Sequence, residues 1–567
     1  MQFRIAHSIA LALSASLTAG LSAGALAPTA LAQGGPPPPP PGGGALQDPP
    51  VPPGNPITDE KAILGKLLFW EEQLSSDNTM ACGTCHIPGA GGSEPRLGPA
   101  TIHPGVDGLL GTDDDIGGSP GVRSQNAFGH YTPSDHFEFA EQVTGRWAQT
   151  TFMTPYSPEA FWDGRAEGTF IDPVTGQVVL PGGGALESQS LGPILSDVEM
   201  AQAGRTLTDA MDKLALVEPM ALATNLPADM AAAIAGDASY GDLFEAAFGT
   251  PEITPVRLAF ALATYQRTLI PDQAPFDLDQ LTPQQQQGLN AFNGPGRCNA
   301  CHTAPTFSNF TFRNVGLRPW QEDRGRMEVT GLFADRGRFK VPSLRNVGLR
   351  TRFFHNGSLE HPSLQSAVAF YNGGGGDFPE NKDPVLLNPA PIQLNPGQIA
   401  DITAFLEGGL TDPRVAAETF PFDRPTLHSE QGNAFSSPFG PPLAGSGGEV
   451  PRQIASAPAL LGSKDFKLGL RNALGGSVAV LAVSAARAPA GTTIHGAPLH
   501  VDVGKLLALE VLGLAGVGAG QGFATYLAPL PNEPSLVGVE IFSQWLVLDP
   551  ALPGELAASR GQQLTFL

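Results

Sequence analysis

Cysteine is scarce: four residues in a chain of 567. A chain this long has sequence enough for several hydrophobic cores, so two disulfides at most would not be its main source of stability. Positive charge is scarce as well. Thirty-two Lys and Arg stand against 54 Asp and Glu, a formal charge of −22 at pH 7, which argues against a protein that binds along a nucleic-acid backbone. After the N-terminal leader no apolar run is long enough for a clear transmembrane span. Charged residues make up only 15%, while 69 Gly and 55 Pro predict many turns and long irregular connections.

The chain does carry an export pattern. One Arg precedes an Ala/Leu-rich run that closes on Ala30-Leu31-Ala32, which predicts a signal peptide over 1–32 and a periplasmic or otherwise exported protein. Residues 33–55, rich in Pro and Gly, read as a disordered or extended linker. Helical apolar spacing marks "DEKAILGKLLFW", "TLTDAMDKLALVEPMA", "PEITPVRLAFALATYQRTLI", "LTPQQQQGLNAF" and "NPGQIADITAFLEGGLTD". In the fourth, Thr282 can cap and Pro283 occupies the first helical position. A faint internal echo, "EAFWDGRA" against "RFFHNGSL", suggests two related halves. From about residue 440 the texture changes to short strand-like runs split by Gly, Pro and Asn. The expected division is 56–250 and 251–436 for the two halves and 437–567 for a β-rich domain.

All four cysteines fall in one repeated frame, Cys82-Gly83-Thr84-Cys85-His86 and Cys298-Asn299-Ala300-Cys301-His302. Two thiols three positions apart can add to two vinyl groups on one porphyrin edge, and the adjacent histidine can then reach the iron. A redox dithiol would not need duplication, and a zinc site made of four cysteines would not need His86 and His302. The pattern therefore predicts two covalently bound haem c groups with His86 and His302 as proximal ligands. After His302 the sequence holds one methionine, Met327, so the second ligand at that haem is Met327 or a harder group such as His355, His361, Tyr371 or His428.

Further motifs carry a family resemblance. "LGKLLFWEEQLSSDNTMACGTCH", "FWDGRA", "LESQSLGPILSDVEM", "YQRTLIPDQAPFD", "FKVPSLRNVGLRTRFFHNGSL" and "AVAFYNGGG" occur in order over 56–412. They resemble bacterial di-haem cytochrome c peroxidases and their MauG-like relatives. The helical spacing predicts a mostly α fold in two halves, and the resemblance implies that these are c-type-cytochrome-like haem domains in pseudo-twofold arrangement. A β-sandwich-like domain would follow them. It implies that the first haem is the peroxidatic one, with Glu199 as the acid–base group and Gln189 as the residue that orients peroxide. Trp162 would relay electrons or holes between the haems. Tyr371 stands near the point where the peroxidases place an axial methionine and the MauG-like enzymes a tyrosine, so it is the expected distal ligand opposite His302.

There are departures. The family often has an Arg-Asn pair before "FWDGRA" whose Asn binds calcium between the haem domains. Here the pair reads Arg146-Trp147, and an indole cannot ligate calcium. Asn126 is an alternative, and the calcium stays without assigned ligands. The segment between His86 and Trp162 is longer than in compact members and holds His103, His130 and His136, any one of which could cap the first iron. A second insertion contains a hairpin-like stretch, "VTGQVVLPGG". The expected activity is reduction of hydrogen peroxide with electrons from a small c-type cytochrome or cupredoxin. The alternatives are MauG-like oxidation of an exported protein substrate, with oxidising equivalents held over both haems, and a non-enzymatic di-haem electron carrier. The oligomeric state, monomer or dimer, stays open.

Overall fold

In a computed structural model of the protein, the described residues are 46–386, 392–432 and 435–567. The expected signal peptide at 1–32 and the linker up to residue 45 lie outside the described residues. The end of the linker is packed rather than extended. Asn55 is buried and donates through Nδ2 to Glu187 at 3.0 Å and to the Phe260 carbonyl at 3.1 Å.

Two helix pairs frame the cysteine motifs. In the first, Asp59–Phe69 starts where Thr58 accepts the Lys61 N–H, and it buries Leu64, Leu67 and Leu68 against Pro255–Thr268. A Cβ on Gly65 would lie 2.0 Å from the Ala261 carbonyl oxygen, so only glycine lets the two backbones meet there. In the second, Pro283–Asn293 starts with a reciprocal Thr282/Gln285 capping box and packs on Pro396–Ala404. Gly288 plays the same part: its Cβ would stand 2.0 Å from the Asp401 carbonyl oxygen. Each motif thus follows a helix held flat against a later helix by one glycine.

The cores follow this pairing. One surrounds Trp70, Met80, Leu258 and Leu262, and a second surrounds Phe292, Phe307, Ile402 and Phe405. Val415, Phe422 and Leu427 belong to the first core, so the chain returns to the first half after completing the second. The helices are short, and two-stranded ladders stand between them. Pro120–Arg123 pairs with Glu141–Val143, and Phe312–Arg313 with Phe339–Lys340. The hairpin expected in the second insertion is formed by Phe170–Ile171 and Val178–Leu180. The fold is therefore mixed α/β rather than mostly α, because Gly and Pro interrupt the helical runs and the insertions close as ladders.

The C-terminal region is strand-rich. Lys467–Gly475 pairs with Arg452–Ile454 on one side and Gly518–Leu527 on the other. A larger sheet runs Leu506–Gly513, Val478–Ser484, Glu540–Leu548, Gly561–Thr565, Ser436–Phe439. Side chains of both sheets, including Leu468, Leu470, Leu481 and Trp545, share one core. The long segment after His86 has a structural use here. Tyr131 N–H donates to Thr525 Oγ1 at 2.9 Å, Lys467 Nζ reaches Gln125 and the Gly129 carbonyl, and Phe139 meets Phe523 at 5.3 Å. The insertion is the seat on which the strand-rich region rests. Among the described residues no helix is long and apolar enough to cross a membrane.

Replacing Gly65 or Gly288 by Ala should destabilise the protein by about 1–3 kcal/mol through overpacking. Helix propensity alone would stabilise it by ~1 kcal/mol. Urea unfolding of the two variants measures the sign.

Candidate active site

The two C-x-x-C-H motifs line two different cavities. Cys82, Cys85 and His86 face one of about 560 Å³. Cys298, Cys301, His302 and Tyr371 face a second, more apolar one of about 200 Å³. None of the four thiols is in a disulfide. The motifs therefore do not combine into one four-cysteine site.

Each histidine is prepared in the same way. His86 Nδ1 lies 3.1 Å from the Gly92 carbonyl, and His302 Nδ1 lies 3.1 Å from the Phe307 carbonyl. A carbonyl only accepts, so both Nδ1 atoms carry the proton and both Nε2 lone pairs are left for a metal. Burial lowers the pKa of His86 and brings that of His302 to about 4, which keeps the imidazoles neutral as ligation requires. The second cavity also holds two guanidiniums without a carboxylate partner among the described residues, Arg350 and Arg352, and each has an unbonded buried Nε. Such donors suit the propionates of a porphyrin. Thiols, a free Nε2 and unpaired cations in an apolar slot are a donor set that fits covalent haem.

Gln189 and Glu199 meet in the first cavity. Gln189 comes from Ala185–Ser190 and Glu199 from the turn after Gly192–Leu195, and both line the cavity with Arg165 and Trp162. Burial raises the Glu199 pKa, while a hydrogen bond from Ser196 and the charge of Arg165 oppose it. Strand Pro120–Arg123 holds this turn: Val122 N–H donates to the Val198 carbonyl at 3.1 Å, and a Cβ on Gly121 would stand 2.0 Å from that oxygen. The Gln189 helix is fixed from behind. Fully buried Glu187 accepts from Arg267 at 2.7 and 2.9 Å. The phrases "LESQS" and "YQRTL" are thus two ends of one ion pair. The second half contains its analogue, Arg345 with Asp277 at 2.7 and 2.8 Å, joining "SLRN" to "APFD".

Trp162 borders both cavities, and so do Trp147 and Gln149. Its turn is strained into place. Phe161 has φ 66°, Gly164 has φ 75°, and Asp163 accepts the Arg165 N–H at 3.1 Å. Trp162 Nε1 donates to the Trp147 carbonyl at 2.8 Å. The echo phrase has the same backbone signature, with Phe354 at φ 65° and Gly357 at φ 52°. His355 therefore occupies the place that Trp162 holds in the first turn. The two rings meet edge to face at 6.3 Å, and His355 stacks on Phe339 at 3.5 Å. The sequence suggested the repeat but not that its two turns touch. Arg350 carried no signal beyond membership of a shared phrase, and Trp147 stood out in the sequence only as a residue unable to ligate calcium.

Other candidates fall elsewhere. Met327, His361 and His428 line neither cavity, and His103, His130 and His136 are absent from the wall of the first. His103 and His136 face each other at 5.8 Å. Asn126 Oδ1 accepts from the Phe128 and His130 N–H groups. Among the described residues no three His, Cys, Asp or Glu side chains converge to hold a metal ion. Beside Trp147, the Arg146 guanidinium joins Asp163 at 2.6 Å to Asp323 at 2.7 Å.

The family model described as "Di-haem cytochrome c peroxidase" matches residues 59–285. The methylamine utilization protein MauG of Paracoccus denitrificans is 30% identical over 421 residues, 63% of this chain and 90% of that protein. The cytochrome-c peroxidase IdrP1 of Denitromonas iodatirespirans is 27% identical over 65% of this chain and 86% of its own length. A crystal structure of a MauG-like protein associated with microbial copper homeostasis aligns with a TM-score of 0.48 at 22% identity, over 67% of this chain and 96% of that one.

Arg267→Met should cost about 3–5 kcal/mol, because it strands the buried Glu187 carboxylate. Arg267→Met combined with Glu187→Leu should recover most of that loss. Chemical denaturation of the single and double variants decides whether the pair acts as one unit.

Proposed function

The chain is an oxidoreductase of the di-haem cytochrome c peroxidase and MauG-like family, and on that premise we propose that it reduces hydrogen peroxide to water in the first cavity. The electrons come from a small exported redox protein, a c-type cytochrome or a cupredoxin. The observation that carries this reading is the convergence of Glu199 and Gln189 on the cavity that also holds Cys82, Cys85 and His86.

Membership of the family implies two covalent haem groups, which Cys82 and Cys85, and Cys298 and Cys301, would hold, with His86 and His302 as proximal ligands. When bound, these groups supply the electron transfer and the iron at which the O–O bond is cleaved. The protein's own work is proton handling and positioning. Glu199 takes a proton from one peroxide oxygen and returns it to the other, and its lifted pKa brings it closer to that task. Gln189 carries no charge and orients the peroxide by hydrogen bonds. Trp162 spans the wall between the cavities. On this reading 56–250 and 251–436 are two haem units in pseudo-twofold relation, with Pro255–Thr268 packed back on the first, and 437–567 is a β-sandwich-like extension. An exported, periplasmic location belongs to the same proposal. The carrier-only alternative yields to the family's enzymatic character.

A second reading is favoured by one observation. Tyr371 lines the second cavity and Met327 does not. A phenolate ligand would stabilise the oxidised state of that centre. That suits MauG-like, peroxide-dependent oxidation of a protein substrate at long range.

Glu199→Gln should lower kcat/KM for peroxide by about 10²–10⁴. The wild-type acidic limb should lie above the ordinary carboxylate pKa of about 4.3, since the base form is needed and burial raises it, and the limb should vanish in the variant. Unchanged steady-state turnover with a reduced cytochrome donor would remove Glu199 from this role. Tyr371→Phe should raise the potential of the second centre in a spectroelectrochemical titration and leave the first in place. Two unchanged potentials would make Tyr371 a packing residue and turn attention to His355.

A further inference from the structure

A third cavity, of about 510 Å³, lies where the strand-rich C-terminal region meets the first half. Its walls come from the loop after the first cysteine motif, strand Pro120–Arg123, the segment around His428 and the strands Arg452–Ile454 and Lys467–Gly475. The function proposed above makes no use of it.

Its charge is unusual for a chain with a formal charge of −22. Three guanidiniums face it, from Arg96, Arg123 and Arg471. Arg96 is neutralised by Glu94 at 2.7 Å, and Arg123 is held at 3.2 Å by Glu141, which is 46% exposed. Arg471 has no ion-pair partner among the described residues, although Glu138 acts on it at longer range. Arg471 also stands directly opposite Arg452 in the antiparallel ladder. Like charges at facing positions destabilise a sheet, and Arg123 adds a third positive charge close by. The other acid in the wall, Asp77, is already engaged by Gln125 and Thr79.

The cavity also leaves polar atoms without partners. Arg123 Nε, His428 Nδ1 and Gln453 Oε1 are buried and unbonded, and all three residues line it. A cleft of this volume is in the range of small-molecule sites. An arginine fork without a carboxylate matches carboxylate or phosphate oxygens.

We propose that this cleft binds a small organic polyanion, bearing carboxylate or phosphate groups, between Arg471 and Arg123. The ligand relieves the repulsion that the facing arginines build into the sheet. Met80 lines both this cleft and the first cavity, so the anion lies one side chain from the proposed peroxide site, on a separate surface.

Isothermal titration of the holoprotein with citrate and with inorganic pyrophosphate tests this and separates the two chemistries. At least one probe should bind, raise Tm, and weaken as ionic strength rises. Arg471→Gln should weaken that binding at least about tenfold. Without ligand the same variant should unfold at a higher temperature than wild type, because a like-charge contact is gone. Absence of binding to wild type by both probes would overturn the proposal. So would equal affinity in wild type and Arg471→Gln, or a ligand-free variant that is less stable.

Discussion

The contact between Trp162 and His355 is the constraint around which the rest is arranged. Two turns of like sequence, Phe-Trp-Asp-Gly and Phe-His-Asn-Gly, put a phenylalanine and a glycine into left-handed backbone and deliver the ring that follows the phenylalanine inward. The rings meet at 6.3 Å. Left-handed phenylalanine costs energy and persists only where its surroundings over-determine it. Here they do. The Trp147 carbonyl holds the indole N–H, the Trp162 carbonyl accepts the Lys340 N–H at 2.7 Å, and Arg146 ties Asp163 to Asp323. The shared wall of the two cavities is therefore fixed by hydrogen bonds and ion pairs on several sides.

Behind each cavity a buried ion pair does the orienting. Glu187 with Arg267 and Asp277 with Arg345 are both almost fully excluded from water. Such pairs are weak evidence for stability and are often kept for registry. Glu187 and Gln189 share one short helix, so the pair fixes the rotation of the segment that carries the proposed peroxide-orienting amide. The paired glycines 65 and 288 act one layer further out, by letting helices touch along their backbones.

Much of this was legible in the sequence, for identifiable reasons. The cysteine motifs report chemistry through spacing alone, and the capped helices at Thr58 and Thr282 follow from local side-chain bonds. Gln189, Glu199, Trp162 and Tyr371 were found through phrases shared with a family, and the structure brings the first three to one cavity and Tyr371 to the other. What escaped depends on contacts distant in sequence. Nothing local says that Glu187 meets Arg267, that His355 faces Trp162, or that the 87–161 segment seats a strand-rich region whose own strands Leu506–Gly513 and Gly518–Leu527 went unread. The mostly helical expectation failed because periodicity identifies helices well, whereas two-residue ladders leave almost no pattern.

The proposed function amounts to a division of labour in which the cavity of His86 would admit small molecules and the cavity of His302 would be closed by a protein ligand. Low-temperature EPR of the one-electron-reduced holoprotein, with and without added cyanide, tests it most directly. Two haems per chain are expected, with a ferric signal from the His86 centre that shifts when cyanide is added. Two six-coordinate centres that both stay unresponsive after one-electron reduction would contradict it.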